Sequence, residues 1–169
     1  MKIEGNQPVC VRRISESDIA AMLELISQIE SPDDLVQSAG TQFSRELANP
    51  HHEEVRFLAT LGGIAVGTMG CGPGPMPSKH ALWADWLIVD RRYRRCGIAY
   101  QLYMEVEKFA VNLDKRYLCL DVGNIDSERA AYLFHRRNGF HIVGKIPDYW
   151  GDREHLHIMA KYLISRERH

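Results

Sequence analysis

VDRRYRRCGIAYQLYMEVEKFA, residues Val89 to Ala110, sets four arginines and a single glycine where an apolar run gives way to a helical pattern. A strand that turns into a helix through a glycine presents unpaired backbone N–H groups at the helix N-terminus, where the macrodipole is positive. Arg91, Arg92, Arg94 and Arg95 add cations at the same end, which is unfavourable for the dipole unless an anion lies among them. Phosphate is the natural ligand of such a terminus. The alternative is a solvated loop whose arginines pair with acids such as Asp90.

Outward from this stretch the chain alternates strands and helices. The helix runs from Gly97 to about Asn112, and the apolar run before it, Ala81 to Val89, reads as a strand. Upstream, GPGPMPSKH (Gly72 to His80) is too rich in proline and glycine for regular structure, and strands at Val55 to Leu61 and Ile64 to Gly70 flank a tight Gly62-Gly63 turn. The chain opens with a half-buried strand, Val9 to Ser15, followed by a helix from Asp18 to about Ile29. SPDD, from Ser31, ends that helix and caps a second that runs to about Ala48. Downstream come a strand at Arg116 to Val122, a helix from about Ser127 to Arg137, and two strands beginning at His141 and His155 around the loop PDYWGDRE. The order β-α-α-β-β-β-α-β-α-β-β predicts an α/β fold, with a mixed sheet carrying helices on its faces, in one domain over residues 1–169.

Composition narrows the function. With 21 basic and 22 acidic residues the formal net charge is -1, so nothing global recommends a nucleic-acid or membrane partner. The opening MKIEGNQPVC lacks the apolar core of a signal peptide, and no apolar run approaches the roughly 20 residues that span a bilayer. A cytoplasmic protein is expected. Cys10, Cys71, Cys96 and Cys119 are scattered, form no CxxC pair, and read as reduced, mostly core cysteines.

Neither GxxxxGK followed by Ser or Thr, nor GxGxxG after a first strand, is present. What the loop carries is RxxGxA, with Arg94, Gly97 and Ala99 behind LIVDRRY. This resembles the acetyl-coenzyme A loop of the GNAT acetyltransferase superfamily, which follows a strand ending in an apolar-x-Val pattern. LDVGNIDSERAAYLFHRRNGF is similar to the family's second signature, a strand, an Asn-containing loop and a helix ending in Gly-Phe. IPDYWGDREHLHIMAKYL looks like its closing hairpin. Together the three imply a GNAT-like acyl-CoA N-acyltransferase fold, a mixed, largely antiparallel twisted sheet of about seven strands with helices on both faces.

The resemblance also implies a site. Backbone N–H groups of Arg95, Cys96, Gly97, Ile98 and Ala99, with Arg94 beside them, hold the coenzyme A pyrophosphate, and Leu87, Ile88 and Val89 pair with the pantetheine arm like an added strand. Asn124 of the second signature joins the coenzyme set. The family's fourth and fifth strands diverge around the thioester, with a fourth-strand N–H stabilising the oxyanion.

Acetyl transfer to an amine needs a base, because an alkyl amine of pKa about 10 is protonated at pH 7. Asp121, in LDV, stands where the peptide N-terminal branch of the family has a glutamate in LEV, and is the first expected base; its alternative role is a loop cap or arginine partner. Asp85, expected on one face with Leu87 and Val89 by the two-residue period, is the second. The family's tyrosine four residues before the Gly of Gly-Phe is replaced by His135, which is either the acid that protonates the thiolate or an exposed helix residue beside Arg136 and Arg137. Tyr132, three residues earlier on the same helical face, is the other acid considered.

Tyr149 and Trp150, in the predicted loop before the last strand, are read as lining an acceptor pocket, or else as hairpin packing. Trp83 and Trp86 are expected on opposite faces of their strand, one of them at least in the core. His155 and His157, like His51 and His52, lack the spacing of a zinc site, so no metal is expected. The expected partners are acetyl-CoA and a primary amine, either a peptide N-terminus or a small polyamine or amino sugar, with a homodimer left open. The rival class is a coenzyme-binding regulatory module of the same fold, with the missing tyrosine in its favour.

Overall fold

A computed structural model describes residues 8–29 and 34–163. The opening segment read for a signal peptide, as far as residue 7, and the predicted helix-capping residues Ser31 to Asp33 lie outside the described residues. The elements follow the predicted order: β1 Val9–Arg13, α1 Ile19–Ile26, α2 Asp34–Ala48, β2 Val55–Leu61, β3 Ile64–Gly72, β4 Ala81–Val89, α3 Ile98–Asn112, β5 Tyr117–Val122, α4 Arg129–Arg137, β6 His141–Gly151 and β7 Glu154–Tyr162. Short 3-10 turns at Glu16–Asp18 and Arg91–Tyr93 precede α1 and α3. The seven strands form one open mixed sheet in the order β1-β2-β3-β4-β5-β7-β6. Pairing is antiparallel for β1–β2, β2–β3, β5–β7 and β7–β6, and parallel for β4–β5.

The residues group into two compact units, Met1–Gly72 with Trp86–Phe109, and Pro73–Asp85 with Ala110–His169. In the first, Gly62 and Gly63 turn β2 into β3 with φ of 58° and 84°, as the double glycine requires. Leu58 pairs with Thr68 and Ala59 with Gly67, so Leu58 and Gly67 face opposite sides of the sheet. Leu58 joins Met22, Leu25 and Ile26 of α1, Ala39 and Phe43 of α2, and Ile88 in a buried cluster. On the other side a Cβ at Gly67 would lie 3.1 Å from Leu102 and 3.2 Å from Ile98, so the absent side chain lets α3 lie close on β3. Helices thus cover both faces of this unit.

A buried ion pair ties α2 to β2. Arg56 donates from Nε to Glu46 Oε2 and from a terminal nitrogen to Oε1, both at 2.8 Å, and its guanidinium stacks 4.4 Å from the Phe43 ring centre. Both side chains are almost wholly excluded from water, so each charge depends on the other.

In the second unit β4 pairs with β5 through Ala81–Trp83 and Tyr117–Cys119. The proline-rich loop is fixed where the Trp83 indole lies over Gly74, which has a φ of 71°, and where Lys115 Nζ donates to the Ser78 carbonyl. Two sequence expectations need correction here. Pro147 to Gly151, read as loop, is the end of β6, and only Asp152 and Arg153 form the turn. A proline is tolerated because β6 is an edge strand, and the register shifts between Ile146 and Gly151, where Asp148 has a φ of 52°. Helix α4 starts at Arg129 and not Ser127, because Asn124 first forms a turn, accepting from the Asp126 N–H through its side chain and from the Glu128 N–H through its carbonyl.

Glu46→Ala should lower unfolding stability by about 3–5 kcal/mol by stranding the Arg56 charge in the core. Urea denaturation checks this, and a loss under about 1 kcal/mol would show that water reaches the pair.

Candidate active site

The segment leading into α3 has the backbone of an anion site. Arg95 and Gly97 both adopt left-handed conformations, φ 65° and 79°, directly before the first helical residue, Ile98. A segment of alternating hand at a helix N-terminus turns its N–H groups towards a common centre. A Cβ at Gly97 would meet nothing within 4 Å, so the glycine serves the dihedral angle and leaves the approach to backbone open. Arg94, Arg95, Cys96 and Gly97 are exposed, Ala99 is half-buried and Ile98 is buried.

The arginines are not the uniform ring of cations that their density implies. Arg92 donates to buried Asp90 from its backbone N–H (2.8 Å), Nε (3.1 Å) and a terminal nitrogen (2.9 Å), while Gln28 adds a fourth bond to the same carboxylate. These donors pull the Asp90 pKa down to about 2. Arg91 donates to the Gln28 carbonyl and Arg94 to that of Val89. The pairing alternative therefore holds for Arg92, whereas Arg94 and Arg95 remain at the exposed mouth of the loop.

Strand β4 is kinked. Trp86 has a φ of 50°, a left-handed conformation that costs a bulky residue about 1–3 kcal/mol and persists only where its surroundings impose it. Its indole is held from α2, donating from Nε1 to Gln42 Oε1 at 2.8 Å and meeting the Phe43 ring edge-on at 6.1 Å between centres. The strict two-residue alternation expected for Asp85, Leu87 and Val89 is interrupted at this point: Asp85, Trp86 and Leu87 are successively half-buried before Ile88 returns to the core. Of the two tryptophans, Trp86 packs against the main cluster and Trp83 covers Gly74.

The second unit gathers carboxylates. Asp121 lies on the open side of β5, and its pKa is raised by the protein crowded around it and then by the charge of Asp85. Glu128 is raised as well, first by desolvation and further by Asp121 and Glu154, although it accepts a bond from the Gly123 N–H. The Gly123 carbonyl accepts from His157 Nδ1 at 2.9 Å, which places the proton of that buried imidazole on Nδ1. Glu128 and His157 thus hold the two backbone polar groups of Gly123, two residues beyond Asp121. The sequence reading passed over Glu128 and weighed His157 only as a zinc ligand, because the signal of both is proximity after folding.

The two acids considered differ sharply. His135 is not an exposed helix residue; it is 6% exposed, set edge-on to Phe134 and Phe140, and its Nδ1 has no hydrogen-bond partner. Burial lowers its pKa to about 4, so the ring is neutral at pH 7. Tyr132, half-buried on the same helix, keeps a more open position. Asn124 spends its amide on the Arg153 carbonyl and the Asp126 turn. Tyr149 and Trp150 stand on the end of β6, 52% and 64% exposed, in edge contact with each other. The cysteines are not mostly core residues as expected: Cys71 is buried, Cys119 is half-buried with its thiol pKa pushed up by burial, and Cys10 on the edge strand and Cys96 in the loop are exposed. Among the described residues no three His, Cys, Asp or Glu side chains are grouped to hold a metal ion, and no helix is long and apolar enough to cross a membrane.

Solved structures resemble this fold over nearly its whole length. A GNAT-family protein from Desulfovibrio desulfuricans matches with a TM-score of 0.86 at 16% identity, over 93% of this chain and 100% of its own. An aminoglycoside 6'-N-acetyltransferase complexed with coenzyme A matches with a TM-score of 0.74 at 18% identity, over 94% and 99%. The ribosomal-protein-S18-alanine N-acetyltransferase of Escherichia coli matches with a TM-score of 0.75 at 18% identity, over 96% and 99%. Comparison with curated proteins finds no match. The model of the Acetyltransferase (GNAT) family matches residues 19–140, most of the chain, including the RxxGxA loop, the kinked strand and the Gly-Phe helix end, and the protein belongs to that family.

Proposed function

We propose that the protein is an acetyl-CoA-dependent N-acetyltransferase acting on a primary amine. The observation that carries this reading is the left-handed Arg95 and Gly97 backbone at the N-terminus of α3, directly after a kinked strand. The N–H groups from Arg95 to Ala99 take the pyrophosphate, Arg94 neutralises it from the rim, and Leu87, Ile88 and Val89 offer backbone to the pantetheine arm. The reading draws support from a neighbour of the same fold that holds coenzyme A.

Transfer is direct. The amine nitrogen attacks the acetyl carbon, the carbon–sulfur bond breaks, and the thiolate takes up a proton. Asp121 accepts the ammonium proton, through water or directly, its basicity raised by the protein crowded around it and then by the charge of Asp85. Tyr132 takes the acid's place, because a neutral His135 that titrates at about 4 has no proton to give at neutral pH. The carboxylates of Asp85, Asp121 and Glu128 favour a cationic acceptor, a peptide N-terminus or a polyamine or amino sugar. Scattered cysteines read as reduced fit a reducing, cytoplasmic setting. His135 also favours a second reading, a module that binds the coenzyme without turnover. Thiol release with a panel of amines separates the two.

Acetyl-CoA at about 100 times its Kd should stabilise the fold by roughly 2.7 kcal/mol, and Gly97→Val, whose side chain is strained at positive φ and obstructs the phosphates, should abolish the thermal shift. No shift in the parent protein, or a full shift in a folded Gly97→Val variant, refutes the coenzyme site. Incubation with acetyl-CoA alone should leave the intact mass unchanged; a stoichiometric gain of about 42 Da on a cysteine would instead mean an acetyl-enzyme route.

Asp121→Asn should lower kcat and make it rise more steeply with pH, since solvent must then deprotonate the amine. Stability supplies the control. A carboxyl whose folded pKa is raised contributes stability below its unfolded value and loses it as pH rises through the folded one, so its charge at pH 7 favours unfolding. Asn at this position should therefore not lower Tm at pH 7. An unchanged rate and pH profile from about pH 6 to 9 would remove Asp121 from the mechanism.

A further inference from the structure

Trp86 is held out of extended conformation by a chain of polar contacts with a fixed direction. Arg56 can only donate, so Glu46 accepts from it; Glu46 Oε1 also accepts from Gln42 Nε2 at 2.8 Å. A carboxylate cannot face the Gln42 carbonyl, so the amide has one allowed orientation, with Oε1 turned to the Trp86 indole N–H. Phe43, the next residue of α2, lies against both the Trp86 ring and the Arg56 guanidinium. Gln42 also lines an open cleft of about 570 Å³ along the polar side of α2, with Asp34, Gln37, Ser38, Thr41 and Arg45.

The kink thus has a holder. A tryptophan released from it would return to extended backbone, and because strand side chains alternate with a period of two, that change reverses the facing of the residues that follow. Those residues are Leu87, Ile88 and Val89.

We propose that Gln42 is a positioning residue for the acyl-pantetheine arm: its amide fixes the Trp86 indole, and the indole fixes the left-handed turn in β4 that aims Leu87 to Val89. The inference rests on the coenzyme reading above. It assigns to a helix outside the sequence signatures a part in holding the substrate-facing strand, with the polarity set by the buried Arg56–Glu46 pair.

Calorimetric titration with two probes tests it. Acetyl-CoA carries the pantetheine arm; adenosine 3',5'-bisphosphate carries the nucleoside, the 3'-phosphate and the inner 5'-phosphate without it. Gln42→Leu and Trp86→Phe should each raise the Kd for acetyl-CoA about tenfold, and the double variant no further, because both cut one link. The Kd for the bisphosphate should stay within about twofold in all three, which a general loosening of the fold would not permit. The proposal is overturned if folded Gln42→Leu or Trp86→Phe binds acetyl-CoA as the parent does, if both probes weaken equally, or if the two substitutions add. Trp86→Phe keeps the aromatic packing and serves where Gln42→Leu fails to fold. A parent protein that binds neither probe sinks the coenzyme reading itself, whereas one that binds both alike sinks only the inference.

Discussion

The buried pair of Arg56 and Glu46 is the constraint on which the first unit turns. Two ions withdrawn from water gain little net stability, since desolvation offsets their attraction, but they tolerate no other arrangement. That intolerance fixes α2 against β2, and the second acceptor site of Glu46 carries the order on to Gln42 and the Trp86 indole. A strand and a helix far apart in sequence are thereby held in one register by charge and hydrogen-bond direction, where apolar packing alone would allow sliding.

At the mouth of α3 the backbone matters more than the arginine count. Asp90 consumes Arg92 and shapes the 3-10 turn that follows, so the segment enters the helix already curled. The left-handed angles at Arg95 and Gly97 then lead directly into the first residue of α3. Positive charge at the rim adds attraction, but it is screened by water, whereas the N–H groups are fixed in place.

The second unit uses the opposite sign. Desolvation raises the pKa values of Asp121 and Glu128, the charges of Asp85, Asp121 and Glu154 add to it, and the Gly123 N–H offsets part of the rise at Glu128. Carboxylates whose pKa values are raised in the fold are unfavourable for folding at neutral pH.

The chain by itself determined the order of elements, the double-glycine hairpin, the strand–glycine–helix junction and the family, because each depends on local periodicity, turn chemistry or a contiguous motif. The glycine at the strand–helix junction, Gly97, could be recognised from its neighbours alone, and so could the Gly-Phe helix end. Tertiary structure decided what depends on distant partners. It spent Arg92 on Asp90, buried His135 against two phenylalanines, extended β6 through Pro147 because an edge strand needs no donor there, and bent β4 at Trp86. A tryptophan in extended and in left-handed backbone is the same letter in the sequence; the partners seen to hold its indole, Gln42 and Phe43, lie some forty residues away.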